Sequence, residues 1–97
     1  PAFVNFILNI SGEIEQKTNL KLLNEYRTKS RMSEEIIVQT SKGWDIYINS
    51  RIPIKKSARM LKILLNKQLT LREISKLEYV DLRSENKIFY RMKGDAV

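Results

Sequence analysis

The residues best suited to chemistry in this sequence are cationic, and their excess lies in one segment. Between positions 51 and 76 there are eight basic residues and one acidic residue, in a chain whose net charge is +7. Clustered ammonium and guanidinium groups attract anions, so an electrostatic partner is expected there. The residues considered for contact with an anionic surface are Lys55, Lys56, Arg59, Lys62, Ile63 and Lys67.

Three interpretations of this basic segment stay open. A solvated helix face ranks first, because a high isoelectric point is common and no recognition motif accompanies it. Attraction to anionic lipid headgroups is the second interpretation, and phosphate contacts to nucleic acid are the third. On a helical wheel Ile63 falls among the basic residues rather than on the leucine face, which is a mild indication of a contact surface.

The composition argues against an enzyme. The sequence has no histidine and no cysteine. Proton transfer near neutral pH would need a carboxylate or lysine with a strongly shifted pKa, and zinc would lack its two usual ligand types. The sequence also shows no phosphate-binding glycine loop and no nucleophile with an adjacent base. We therefore expect a protein without catalytic residues, cofactor or metal.

The N-terminal half predicts one helix and one hairpin within a single domain spanning 1–97. Residues 2–10 are expected to be a short strand or an irregular segment, since Ser11-Gly12 breaks the pattern. The spacing of leucines predicts a helix from Glu13 to about Arg31, with Thr18 as a candidate N-cap. Residues 34–49 predict a hairpin that turns at Gly43, with Trp44 packed in the core and its indole N–H bonded to backbone.

The C-terminal half predicts a helix followed by two strands. Pro53 suggests an edge position, and the second helix is expected from Ser57 to about Gln68. Strands follow at 77–83 and 87–92. The order of elements predicts an α+β fold, with two helices on one face of an antiparallel sheet and a C-terminal β-hairpin.

The last predicted strand has two sharply different faces. Ile88, Tyr90 and Met92 share one face, and Lys87, Phe89 and Arg91 share the other. Spacing alone favours an ordinary strand whose aromatic residues belong to the core. The alternative is an exposed edge that accepts a strand from a partner. Asp81 and Arg83 share a face with Tyr79, and an ion pair that fixes local geometry is favoured over partner contact.

The run YVDLR, from Tyr79 through Asp81 and Leu82 to Arg83, resembles the bacterial cell-division proteins FtsQ and DivIB. The resemblance extends to SEEIIV at 33–38, to GWDIYIN at 43–49, to the leucine-rich helix and to NKIFYR. It covers residues 33–93 best and points to the C-terminal β subdomain of that family. The family often has an aromatic residue after DLR, where this chain has Ser84.

The resemblance implies a non-enzymatic divisome scaffold that helps to regulate septal peptidoglycan synthesis. The partners would be FtsB- or DivIC-like and FtsL-like proteins, and the domain would lie outside the cytoplasmic membrane, tethered by a transmembrane helix before residue 1. In the family a partner adds a strand after the DLR motif. Carried onto this chain, the partner-binding residues are Ser84, Glu85, Asn86, Lys87, Ile88, Phe89, Tyr90 and Arg91.

Overall fold

A five-stranded sheet backed by helices organises the chain. The computed structural model describes residues 2–28 and 34–94. Their elements are α1 (Ala2–Thr18), β1 (Leu22–Thr28), β2 (Glu35–Thr40), β3 (Asp45–Asn49), α2 (Ile54–Ile63), a π-helical turn (Leu64–Gln68), α3 (Leu71–Ser75), β4 (Leu77–Asp81) and β5 (Phe89–Met92).

The first element is a helix, so the prediction of a strand or irregular segment at 2–10 is wrong. Helix α1 continues through Gly12, which is exposed and has open space around its Cα. Ile10 and Ile14 are one helical turn apart and both are fully buried. Burying this stripe outweighs the roughly 1 kcal/mol that a glycine costs inside a helix.

The predicted helix over 13–31 is correct only as far as Thr18. Thr18 is therefore not an N-cap; it ends α1, and its hydroxyl donates to the Ile14 carbonyl. Asn19 follows with a φ of 61°, a left-handed conformation that stops helices and that asparagine tolerates. Strand β1 then pairs with β2, which shows tertiary pairing overriding the helical preference of its leucines. The expected end of the helix at 31–33 lies outside the described residues.

The hairpin predicted at 34–49 is confirmed as β2 and β3, in antiparallel register. Its turn depends on Gly43, whose φ is 92°. The side chain of Thr40 closes the turn by donating to the Trp44 carbonyl over 2.8 Å. Burial alternates along both strands, with Ile36, Val38, Ile46 and Ile48 on the core face.

Helix α2 begins earlier than predicted. Pro53 is its N-cap residue, with a φ of −53°, so it is not at a sheet edge as expected. Proline suits this position because its fixed φ is compatible with the extended backbone of an N-cap residue, here with a ψ of 131°. Ser57, the predicted first residue, is instead buried within the helix. Helical structure continues to Gln68, as predicted.

The sheet order is β1–β2–β3–β4–β5, and the α+β class is confirmed. All neighbouring pairs are antiparallel except β3 and β4, which are parallel because α2 and α3 carry the chain between them. Both predicted C-terminal strands are present, in shorter form. The buried face of the sheet packs against α1 and α2 residues including Ile10, Ile14, Ala58 and Leu61. Among the described residues no helix packs on the other face, which is called the uncovered face below.

Candidate functional site

Strand β5 forms one end of the sheet, and among the described strands it pairs with β4 alone. Phe89 and Tyr90 are 55% and 44% exposed, which is unusual for large aromatic side chains that are neighbours in a strand. The predicted partner-binding residues therefore fall on an edge strand and on the turn before it. Among them Ser84, Ile88 and Arg91 are partly buried, whereas Glu85, Asn86 and Lys87 are exposed.

The backbone of Tyr90 is directed to the open side of the sheet. The Leu82 N–H donates to the Tyr47 carbonyl over 2.8 Å, so the backbone points toward β3 at Leu82 and, by alternation, toward β5 at Asp81 and Tyr79. Phe89 and Arg91 lie opposite those two residues and therefore direct their amides toward β4. The amide and carbonyl of Tyr90 point the opposite way, where a further strand would lie.

The side-chain faces predicted for β5 are confirmed. Met92 and Tyr90 lie opposite Leu77 and Val80, both of which are buried. Ile88 and Met92 pack against the core from the margin. Phe89, opposite Asp81, is on the uncovered face and is not part of the core.

Arg83 holds β4 to β2 across the uncovered face. Its Nε and Nη2 donate to the two oxygens of Asp81 over 2.9 and 2.7 Å, and its Nη1 donates to Glu35 Oε2 over 3.1 Å. Hydrogen bonding to Asp81 raises the pKa of the Arg83 guanidinium, against the opposing effect of partial burial. The favoured interpretation of Asp81 and Arg83 as a structural ion pair is thus confirmed, while Leu82 is fully buried.

Sequence reasoning missed the aromatic centre of this face. The rings of Tyr47 and Tyr79 stack with centroids 4.9 Å apart and planes 9° apart. The Arg83 guanidinium lies 5.2 Å from the centroid of Tyr47. In WDIYIN, residues 44–49, apolar and polar positions alternate, so Tyr47 is expected on the polar side of its strand with Asp45 and Asn49. The sequence does not show that the strand carrying Tyr79 pairs beside it in parallel.

A cleft of about 230 Å³ opens beside these residues, lined by Glu35, Ile36, Ile37, Tyr47 and Arg83. Glu35 and Arg83 already bond each other, so the polar groups of the cleft are largely satisfied within the protein. We assign the cleft no ligand.

The turn before β5 differs from expectation in one respect. Asparagine tolerates a positive φ better than most residues, so Asn86 is the residue of this turn expected to adopt one. Within 2–28 and 34–94, however, the positive values belong to Asn19, Gly43 and Gly94. The turn thus leads into β5 without a left-handed residue.

Trp44 is buried in the core as predicted, next to Gly43 in the turn. Its indole N–H, however, has no hydrogen-bond partner among the described residues, so the predicted bond to backbone is wrong.

The basic residues singled out from the sequence lie on α2 and the π-helical turn. Lys55, Arg59, Lys62 and Lys67 are exposed and Lys56 is partly buried. Ile63 is 40% exposed among them, in agreement with the helical wheel. Leu71, at the start of α3, is 86% exposed and was not singled out from the sequence.

The described residues form neither a metal site nor a membrane-spanning helix. Across the part of the chain that the structure describes, no three side chains of the metal-binding types come close enough to hold an ion. None of the helices formed by those residues has the length and apolar character needed to span a bilayer.

Comparisons of the chain with protein-family models, with curated proteins and with solved structures found no match.

Proposed function

We propose that the chain is a non-enzymatic scaffold domain that binds a partner segment by adding its strand to β5. The observation that carries this proposal is the position of β5 at the end of the sheet with the Tyr90 backbone directed outward. An unpaired strand edge gains main-chain hydrogen bonds from a partner, and side chains on either face supply specificity. Here Phe89 offers an exposed aromatic contact on one face and Tyr90 on the other.

A narrower proposal is that the domain acts in bacterial cell division, as an FtsQ/DivIB-like protein. It is supported by the resemblance of YVDLR, GWDIYIN and NKIFYR to that family, and by the occurrence of NKIFYR at the free edge. The partners would be FtsB- or DivIC-like and FtsL-like proteins, and the domain would lie outside the cytoplasmic membrane on a transmembrane anchor. Its role would be to help regulate septal peptidoglycan synthesis.

Hydrogen exchange measured by NMR tests strand addition residue by residue. The probe is the extracytoplasmic segment of the FtsB- or DivIC-like protein encoded in the same genome. Strand addition predicts that the Tyr90 amide exchanges more slowly in the complex, because it gains an acceptor. The amides of Phe89 and Arg91, which point toward β4, should change much less. Equal protection along β5 would indicate general stabilisation and would contradict strand addition.

Two variants separate backbone pairing from side-chain contact. Tyr90→Pro removes the outward-pointing donor, and proline is tolerated at the edge of a sheet, so binding should fall by a factor of ten or more, about 1.4 kcal/mol. Tyr90→Ala keeps the donor and reports the side chain alone. Phe89→Ala is the matched variant on the other face. Full affinity in a correctly folded Tyr90→Pro variant would refute the mechanism.

The choice of probe also tests the narrower proposal. If the division-protein segment does not bind at all, the assignment to the FtsQ/DivIB family fails. A panel of unrelated β-forming peptides then tests the β5 edge independently of the family. If any of these peptides slows exchange of the Tyr90 amide, the strand-addition mechanism stands and only the proposed class of partner is wrong.

A further inference from the structure

The outward face of α2, together with the start of α3, combines unneutralised cations with exposed aliphatic side chains. Leu71 is 86% exposed and Ile63 is 40% exposed. Single exposed apolar residues need no explanation. These two are unusual because the segment that contains them, 51–76, carries nearly all of the net positive charge of the chain.

The cations of this surface are not neutralised within the described protein. Arg51 pairs with Glu34 at 2.6 Å, but no carboxylate of the described residues lies within ion-pairing distance of the other seven: Lys55, Lys56, Arg59, Lys62, Lys67, Arg72 and Lys76. The one acidic residue of the segment, Glu73, accepts the Thr70 N–H over 2.9 Å and caps α3. The surface therefore keeps a strong positive field.

The positive charge alone would suit either a nucleic acid or an anionic lipid bilayer. The uncharged side chains that lie among the basic residues distinguish these two ligands. Segment 51–76 contains no phenylalanine, tyrosine or tryptophan on which bases could stack. Its exposed large apolar side chains, Ile63 and Leu71, are instead aliphatic. Aliphatic side chains among lysines and arginines are the combination by which proteins bind the interface of anionic membranes.

We propose that this surface, which comprises Lys55, Arg59, Lys62, Ile63, Lys67 and Leu71, docks on an anionic lipid bilayer. The basic side chains contact lipid phosphates, and Leu71, with Ile63 at the margin, enters the headgroup region. The inference does not depend on the proposed function, because it uses the helical side of the fold and leaves the β5 edge open. The domain could therefore bind a lipid surface and a partner strand at the same time.

Vesicle sedimentation with the full 97-residue chain tests the proposal. The probes are vesicles of phosphatidylcholine alone and of phosphatidylcholine with an equal amount of phosphatidylglycerol. Binding should require the anionic lipid and should weaken at least about tenfold between low and high salt, because counterions screen the charges. Binding that is equal on both vesicles, or that is insensitive to salt, would overturn the electrostatic part of the proposal.

Matched charge reversals locate the surface. Arg59→Glu with Lys62→Glu and Lys42→Glu with Lys93→Glu change the net charge equally, and all four side chains are exposed. Only the first pair should weaken vesicle binding, by about tenfold or more. Equal losses would mean that net charge rather than this surface drives binding, which would overturn the assignment.

The apolar contribution has its own pair of variants. Leu71→Ser should weaken binding about threefold or more, whereas Leu23→Ser, at a residue 43% exposed on β1, should not. Unchanged binding of Leu71→Ser would exclude insertion. A short DNA duplex is the remaining arm: tighter binding to the duplex than to anionic vesicles, lost in the Arg59→Glu, Lys62→Glu variant, would replace the lipid with nucleic acid.

Discussion

Tyr47 on β3 and Tyr79 on β4 stack face to face, with ring centroids 4.9 Å apart, across the one parallel junction of the sheet. Arg83 extends from the end of β4 over the Tyr47 ring and continues to Glu35 on β2. Three strands are thus joined on the sheet face opposite α1 and α2. We infer that these contacts fix the position of β4, and through β4 the position of the edge strand β5.

The tyrosine stack should contribute measurably to stability. Aromatic pairs are worth about 0.5–1.5 kcal/mol beyond the apolar area that they bury. We expect a coupling free energy in this range from a double-mutant cycle of Tyr47→Ala and Tyr79→Ala, measured by urea unfolding. Additive effects of the two substitutions would mean that the stack adds nothing beyond burial.

Arg83 should matter more than another arginine in an equally short ion pair. Arg83→Met breaks bonds to both Asp81 and Glu35 and should lower the free energy of unfolding by about 1–2 kcal/mol, discounted for partial exposure. Arg51→Met breaks only the ion pair with Glu34, and the Arg51 side chain is 76% exposed. This substitution should lower the free energy of unfolding by less than about 0.5 kcal/mol. Chemical denaturation of both variants compares them, and equal losses would contradict the bridging role of Arg83.

Replacing Ser57 by alanine should stabilise the protein. The Ser57 hydroxyl is fully buried in α2 and has no hydrogen-bond partner among the described residues. Alanine removes the cost of that hydroxyl and is a better helix former, so we expect a gain of about 1 kcal/mol in a thermal or urea melt. Ser75→Ala is the control, because the exposed Ser75 hydroxyl donates to the Arg72 carbonyl over 2.6 Å. A loss of stability in Ser57→Ala would reveal a partner for the hydroxyl.

The cap of α3 should respond to acid. Hydrogen bonding to Thr70 lowers the pKa of the Glu73 carboxyl in the folded protein. The backbone N–H of Thr70 makes the larger contribution and its hydroxyl the smaller. The cap therefore contributes its stability above the unfolded pKa of about 4.3 and loses it as the pH falls through the lower, folded pKa.

Carboxyl ¹³C NMR of Glu73 should show this lowered pKa directly, together with matching shifts of the α3 amides. In Glu73→Gln, which keeps an acceptor for the Thr70 N–H, the acid-dependent shifts of α3 should disappear. Shifts of the same size in that variant would assign them to a different group.

The parts of the fold that follow from local pattern could be predicted from the sequence. Alternation at 34–49 predicts the β2–β3 hairpin. Alternation at 87–92 predicts which residues of β5 face the core. Residues 22–28 could not be assigned in this way, because their leucines match a helical spacing and only pairing with β2 makes them a strand. The same holds for α1, where burial of Ile10 and Ile14 offsets the break that Ser11-Gly12 suggests.

The candidate sites differ in the same way in how far the sequence predicts them. The β5 edge was singled out through the resemblance of YVDLR and NKIFYR, and the basic face of α2 because its charges lie within one continuous segment. The Tyr47, Tyr79 and Arg83 cluster was not, because its residues meet only when β4 pairs in parallel with β3. Leu71 was overlooked since an apolar residue in a short helix is ordinarily assigned to the core.

The single parallel junction also bears on the order in which the protein folds. The β1–β3 meander is made of neighbours in sequence, whereas β4 reaches β3 only after α2 and α3 have crossed the sheet. Closing so long a connection is entropically costly, and contacts of this kind tend to form late and to open first. Docking of the β4–β5 pair onto β3 is therefore expected to be the last step in assembling the sheet, and in a nascent or partly unfolded chain β5 would not yet be the edge of the complete sheet.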